Sequence, residues 1–411
     1  MEKSSIPTIK LYKSLQKTFK LLEKICQKEV QDFIDNHLDD DVKQLAFKKN
    51  PFPELEYKVV LNQIATKAKA KIKLPLWFST KGIIYPEKIS LEQTSSEKTA
   101  AYKANLVSGK RIVDLTGGFG VDAYYFAKNV KSVIHCEINP DLSSLVAHNF
   151  KCLGATNIQC YTGDSLTFLE QSSEKFDWIY LDPSRRNNLK EKVFLLADCL
   201  PNVPHLLPTY LEKAHKILIK MAPFLDISSA LKELKNVHTI HIVSLQNEVK
   251  ELLFEIDQQP ADKIALKTID FGTKITVFDA HLGEEAPQLR YGLPQKYIYE
   301  PNSAVMKSGL FDVISSRFQL FKLHQNSHLY TSDKCIDFPG RIFIIDDVFA
   351  YNKENIKAKL THKKCNITTR NFPETVENIR KKWNIKDGGN TYGFFTTDYN
   401  NQKIVLLCTK I

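Results

Sequence analysis

The chain has no Cys-x-x-Cys pair and no His-Glu-x-x-His. None of its eight cysteines, at 26, 136, 152, 160, 199, 335, 365 and 408, has a histidine neighbour at zinc-ligand spacing. A zinc site or a disulfide framework is therefore not expected, and the thiols read as free and buried. His324 and His328 have the spacing to share a helix face, but without an acidic partner motif they read as surface polar residues. No uncharged apolar run is long enough to cross a bilayer. The stretch Met1 to Pro7 lacks the apolar segment of a secretory signal. The expectation is a cytoplasmic protein with neither membrane nor metal among its partners. No internal repeat or low-complexity tract is present. Glycine is sparse too, 15 residues in 411, so a cluster of it carries information.

What is present is ordinary for a globular protein of two or three domains: 43% apolar and 25% charged residues. The net charge of +10 is unevenly spread. Residues 1–90 carry 17 Lys, no Arg and 11 acids, a net +6. Residues 281–411 carry 19 basic and 13 acidic residues, again +6, and the middle is −2. Basic flanks around a near-neutral core suit modules drawn to a polyanion, and they suit equally a lysine-rich surface kept for solubility.

Residues 8–47 show helical periodicity through Leu11, Leu15, Phe19, Leu22, Ile25 and Val30, and a lysine-dotted helix follows over about 54–72. Leu74 to Trp77 and Gly82 to Pro86 read as an extended connector. From 91 to 280 strands and helices alternate, with strands at 111–115, 132–137, 157–161, 176–181, 215–221 and 237–244. Two later strands near 251–256 and 264–270 are expected to end the series as an antiparallel pair. Such alternation predicts a parallel α/β sheet covered on both faces. After Pro287, a strand at 296–299, a helix at 303–311, strands at 341–346 and 403–409 and a helix near 373–383 suggest a small α+β region.

Three of the glycines lie in Asp114-Leu-Thr-Gly-Gly-Phe-Gly-Val-Asp122, between an apolar strand and helix-forming residues. Gly118 to Ala123 satisfies the G-x-G-x-x-G/A dinucleotide pattern, and Glu137 ends the next strand, which alone would allow NAD. Three acids favour S-adenosylmethionine instead. Asp114, ahead of the glycines, can neutralise an α-ammonium group and would sit badly against a pyrophosphate. Asp164, ending the third strand before Ser165, can accept a hydrogen bond from an adenine amine. Asp182-Pro183-Ser184-Arg185-Arg186 ends the fourth strand, and strand C-termini are where such sheets bind ligands. Each acid alone could be a helix cap. Upstream, Thr94 and Glu97 form a capping box that opens a helix, which places Gln93, Ser95 or Ser96 within reach of a methionine carboxylate. Arg185 and Arg186 are two of only eight arginines in the chain, and the planar fork of arginine suits a phosphate or a base edge.

Through Asp114 to Gly120, Glu137, Gly163-Asp164 and Asp182-Pro183 the chain resembles class I S-adenosylmethionine-dependent methyltransferases. The resemblance implies a cofactor site of Asp114, Thr116, Gly117, Gly118, Gly120, Asp122, Glu137, Ile138, Asp164 and Ser165, with Gln93 and Ser96 beside it. Glu137 would face the ribose hydroxyls and Asp164 the adenine. Thr116 stands where the usual motif has its first glycine, a form that is also similar to a ribosomal RNA guanine-N2 methyltransferase family. Asp182-Pro183 resembles the Asp/Asn-Pro-Pro-aromatic motif of amine methylation, which implies catalytic roles for Asp182, Pro183, Ser184 and Arg185. Here Ser184 and Arg185 replace the second proline and the stacking ring.

More widely, Lys73 to Trp77, Gln93 to Lys103, Asp182 to Arg186, Tyr299 to Gly309 and Thr368 to Pro373 resemble a bacterial family. Its plan is a Rossmann-like methyltransferase sheet flanked by a helical N-terminal domain and a small α+β C-terminal region with ferredoxin-like and THUMP-like domains. On that plan the divisions are 1–88, 89–278, 279–325 and 326–411. THUMP domains bind RNA, notably tRNA, so the likeness implies methylation of a tRNA or rRNA base. Arg186, Lys363, Lys364 and Arg370 are the expected nucleic-acid contacts. Two rival functions stay open, a catalytically silent RNA-binding protein and an NAD-dependent oxidoreductase.

Overall fold

The computed structural model describes residues 18–185 and 195–411. Leu11, Leu15 and Arg186, all singled out in the sequence, lie outside that range. The chain divides into two compact units: residues up to Met221 with Leu225–Val237 and Phe254–Pro260, and Ala222–Phe224 with His238–Leu253 and Ala261–Ile411.

After a helical stretch over 18–25, the first unit has helices Lys28–Asn36, Val42–Leu45 and Tyr57–Lys73, packed around Val30, Ile34, Leu45, Val60 and Ile64. The long helix stops at Leu74 because a residue before proline is pushed out of the α region. Pro75 then starts a short helix, Pro75–Ser79, where the extended connector was expected. Proline fits a first helical position, since its missing N–H would have no partner there. The rest of the connector is irregular and is held by two amide side chains. Gln63 bonds both the N–H and the C=O of Tyr85 (2.9 and 2.7 Å). Asn149 does the same for Ile84 (2.9 and 2.7 Å). Buried backbone without a sheet partner is satisfied in this way.

Strands β1 (Arg111–Asp114), β2 (Ser132–Glu137), β3 (Ile158–Thr162) and β4 (Phe176–Leu181) follow. After the short antiparallel pair β5 (Ser184–Arg185) and β6 (Cys199–Leu200) comes β7 (Ala214–Met221). β1 lies between β2 and β4, β3 flanks β2, β7 flanks β4, and all four pairings are parallel. The strand order therefore reverses between β1 and β4. A crevice at the carboxyl ends of the strands is set there by topology.

β8 (Val237–Leu245) and β9 (Glu248–Asp257), which fall in the second unit over 238–253, are joined by Gln246 and Asn247, both at positive φ (53° and 63°). Two such residues make the tight turn that matches strand twist. β10 (Ala265–Phe271) pairs in parallel with β8, and the antiparallel finish is made by β10 with β11 (Ile275–His281). The expected antiparallel pairing of 251–256 with 264–270 is thus corrected, because the strand at 275–281 went unread and the hairpin turn at 246–247 left β8 to receive β10.

A second sheet runs in the order β12-β14-β15-β13-β16-β19-β18-β17. Its strands are β12 (Arg290–Tyr291), β13 (Tyr297–Pro301), β14 (Phe321–Lys322) and β15 (Tyr330–Ser332), then β16 (Gly340–Ala350), β17 (Asn366–Arg370), β18 (Thr391–Thr397) and β19 (Lys403–Lys410). The helix expected over 303–311 ends at Ser308, capped by Gly309 at φ 73°, and a new helix runs Phe311–Arg317. His324 and His328 lie in the connection between β14 and β15, not on a helix, and His328 is half-buried and stacked on Phe311 at 3.6 Å. Among the described residues no helix is long and apolar enough to cross a membrane.

Candidate active site

The glycine turn leaves β1 at Asp114 and enters the helix Val121–Phe126. Two of its glycines are fixed by packing. A Cβ on Gly117 would meet the His135 ring at 2.5 Å and the Cys136 carbonyl at 2.7 Å, and one on Gly120 would meet Phe150 at 2.6 Å. Gly118 differs. Its φ is 56°, and its nearest neighbour along the Cβ direction is the Thr116 carbonyl at 3.8 Å, so its bare face opens to space. Its N–H donates to Glu137 Oε2 (2.9 Å), while Glu137 Oε1 accepts from Asn139 N–H (2.7 Å). One carboxylate at the end of β2 thus shapes the turn, and the next side chain, Ile138, is 70% exposed.

Beneath the turn lies a cluster of charge. Asp114 is buried, and burial holds its carboxyl well above the ordinary aspartate range, with Asp122 and Asp182 pushing the same way and the Thr116 N–H pulling back. Thr116 stitches two strands together: its N–H donates to Asp114 (2.9 Å), and its Oγ1 accepts from Asp182 N–H (2.7 Å). A glycine in the usual first position would have no such hydroxyl. Asp122 is set differently. Burial alone would raise its pKa, but Lys103 and Lys220, with the Tyr180 and Ser95 hydroxyls, outweigh that and lower it. Lys103 Nζ lies 3.2 Å from Asp122 and 3.0 Å from Ser95, whose hydroxyl donates to Asp122 (2.8 Å) as does that of Tyr180 (2.8 Å). Asp182 receives the Lys220 ammonium at 2.5 Å. Register explains this contact: Leu181 pairs with Ile219, so the next residues of β4 and β7 fall opposite. Under Gly117 the His135 ring is fully buried with both nitrogens unpartnered, and burial pushes its pKa down to about 4.

These residues fit the nucleoside of a sulfonium methyl donor: a bare glycine face, a buried carboxyl ahead of it, and a carboxylate with an exposed apolar neighbour on the next strand. The chain is similar over almost its whole length to the solved structure of a protein of Porphyromonas gingivalis W83 assigned as a methyltransferase. It is 30% identical, with a TM-score of 0.84 over 93% of this chain and 97% of its own. Family models described as a ferredoxin-like domain and as THUMP domain-like match residues 297–339 and 340–410. The chain belongs to this family of methyltransferases. No curated protein matches it. An rRNA methylase of Streptococcus thermophilus matches at 13% identity and TM-score 0.29 over 39% of this chain and 93% of its own. An O-methyltransferase of Bacillus cereus matches at 12% and 0.32 over 48% and 99%.

The methyltransferase's remaining expected site residues are less concentrated. Asp164 caps the helix Ser165–Gln171, its Oδ1 accepting from Thr167 N–H and Oγ1 (2.8 Å each). The expected Thr94–Glu97 capping box is not formed. Ser96 is the cap of helix Glu97–Leu106, and Thr94 ends the preceding helix, Lys88–Gln93. Glu97 turns away to accept from Leu76 N–H (2.6 Å) and Tyr125 (3.1 Å). Gln93 is exposed at its helix end, and it is buried Ser95 that reaches the cluster. Pro183 is buried and Ser184 exposed.

In the second unit Lys363 and Lys364 are exposed, whereas Arg370 bonds buried Glu300 (3.0 Å), which Arg341 also engages. An open cleft of about 490 Å³ in that unit is lined by Thr369, Phe372, Glu374 and Val376, and none of the glycine-turn residues lines it. The structure also corrects the expectation of buried thiols without histidine neighbours, and Cys335 is exposed. Cys26 and Cys152 Sγ each lie 3.5 Å from His148 Nε2, although among the described residues no group is set to hold a metal ion.

The sequence did not single out Lys103, Lys220, Tyr180 or His135. A signal existed for Lys220, a charge inside the apolar run Ile217-Leu218-Ile219-Lys220-Met221, where lysine is rare without a partner.

Proposed function

We propose that the protein transfers a methyl group from S-adenosylmethionine to RNA, with tRNA or rRNA as substrate. The observation that carries this is the placing of Asp114 and Glu137 as the last residues of β1 and β2 and of Asp182 directly after β4, with Gly118's open face on the turn between β1 and its helix. In this reading Asp114 takes the α-ammonium, Glu137 the ribose hydroxyls and Ile138 the adenine face. The cofactor supplies an activated methyl on a sulfonium. The chain's own work is then positioning and exclusion of water. The RNA part is supported by the THUMP-like match over 340–410 and by the +6 of residues 281–411.

Calorimetry with S-adenosylmethionine and with NADH tests the first half. Micromolar binding of NADH alone would leave an oxidoreductase. Nucleoside mass spectrometry of RNA from cells with and without the gene, joined to transfer in vitro, tests the second. RNA binding with an unchanged modification profile and no transfer would leave a silent binder. Asp182→Ala is expected to abolish transfer while changing cofactor affinity less than threefold.

A further inference from the structure

Asp182-Pro183 on its own pointed to a base amine as acceptor, but the structure adds a cation to the site. Resting on the function proposed above, we infer that the acceptor is a ribose hydroxyl of the RNA chain, and that Lys220 is a catalytic residue for it.

Lys220 meets Asp182 at 2.5 Å with its side chain only 11% exposed, so its charge is fixed at the strand end and little screened by water. It comes from β7, one residue past a register pair with β4, and is held there by the sheet rather than by a loop.

Acceptor chemistry discriminates strongly between an amine and a hydroxyl in such a place. An exocyclic amine that attacks a methyl group gains a bond before it loses a proton, so positive charge grows on nitrogen. A fixed ammonium beside it opposes that growth. A hydroxyl must shed its proton as it attacks, so negative charge grows on oxygen and the same ammonium stabilises it. A carboxylate paired with an ammonium therefore offers a proton acceptor and an oxyanion partner in one couple. The second observation is independent. Where amine-methylating sites carry a ring after Asp-Pro, this chain has Ser184, small and exposed, and no aromatic through Arg185. A ribose needs no stacking platform, whereas a flipped base does.

The hydroxyl proton passes to a carboxylate oxygen of Asp182 as the new C–O bond forms. The methyl C–S bond breaks with its electron pair retained by sulfur, which becomes a neutral thioether. Asp182 then returns its proton to water, and Lys220 remains an ammonium throughout.

The test uses the full chain, methyl-labelled S-adenosylmethionine and unmodified tRNA and rRNA. After alkaline hydrolysis the label is expected in alkali-stable dinucleotides, since a 2′-O-methyl group blocks cleavage of its own linkage. Label released in mononucleotides as an N-methylated base overturns the inference and leaves the proposed function standing. Absence of cofactor binding overturns both.

Lys220→Met is expected to lower kcat at least a hundredfold and move the pH of half-maximal rate upward by at least one unit. Calorimetric affinity for S-adenosylhomocysteine should change less than threefold, which also shows that the variant is folded. Lys220→Arg should restore at least a tenth of the wild-type kcat. A Lys220→Met variant with intact affinity and unchanged kcat removes Lys220 from the reaction and overturns its assignment. So does a kcat loss without any movement of the pH profile.

Discussion

Asp114 sits in a state that costs stability at neutral pH, and the proposed role towards the cofactor would use that state. Burial keeps its carboxyl protonated above the ordinary aspartate range, so the ligand-free fold binds a proton that the unfolded chain has released. The Asp114 contribution to stability is therefore full below the ordinary aspartate pKa and is lost as pH rises towards the folded value. A cationic amino group beside it reverses the preference, so cofactor affinity is expected to rise with pH over that window, with one proton released. Asp114→Asn should raise the melting temperature of the ligand-free protein at neutral pH, flatten the pH dependence and weaken S-adenosylmethionine at least tenfold, about 1.4 kcal/mol. Calorimetry in buffers of different ionisation enthalpy reads the proton, and an unchanged proton count in the variant would sink the assignment. Asp114, Glu137 and Asp182 were legible in the sequence because each ends an apolar run. Lys103 was not, and for Lys220 only a charge inside an apolar run stood out, because their partners are set by the contacts of a helix and the register of a strand, and neither is written in local spacing.

At the level of the element, the turn between β1 and its helix separates two kinds of glycine. Gly117→Ala places a methyl group against a buried ring and a backbone carbonyl that cannot yield, and is expected to cost on the order of 3 kcal/mol of stability. Gly118→Ala meets only the Thr116 carbonyl at an ordinary contact distance, so its left-handed backbone alone is penalised, by about 1–2 kcal/mol. Its cofactor affinity should nevertheless fall at least tenfold, because the methyl group occupies the open face. Thermal melts beside calorimetric titration separate the two, and equal loss of affinity per degree of melting would show that Gly118 has no special role. The strand-turn-helix order was readable from composition. The helix start near 96 was misread because Thr94-x-x-Glu97 and Ser96-x-x-Thr99 both fit a cap. What decides between them is tertiary: Ser95 is drawn inward by Asp122 and Lys103, which turns Ser96 into the cap.

For the whole molecule, the +10 charge predicts RNA affinity that falls steeply with salt. Lys363→Glu with Lys364→Glu should weaken binding across RNA sequences and lower the salt slope by about two contacts, with cofactor affinity unchanged. A slope equal to that of the parent would return these lysines to the role of solvated surface. Arg370, by contrast, shares buried Glu300 with Arg341, and nothing in the spacing of Lys363, Lys364 and Arg370 distinguished the structural arginine from the exposed lysines. The overall plan was legible because strand and helix alternate from 91 onwards and the character of the chain changes after Pro287. The interleaving of the two units was not, since it depends on long-range contacts. Segments 222–224 and 238–253 of the second unit lie in the chain between parts of the first. No single cut can yield the two as separate products. On the ribosome the first unit cannot be completed until residue 260 has emerged, and by then the second has already begun. The two units are made, and must mature, as one product.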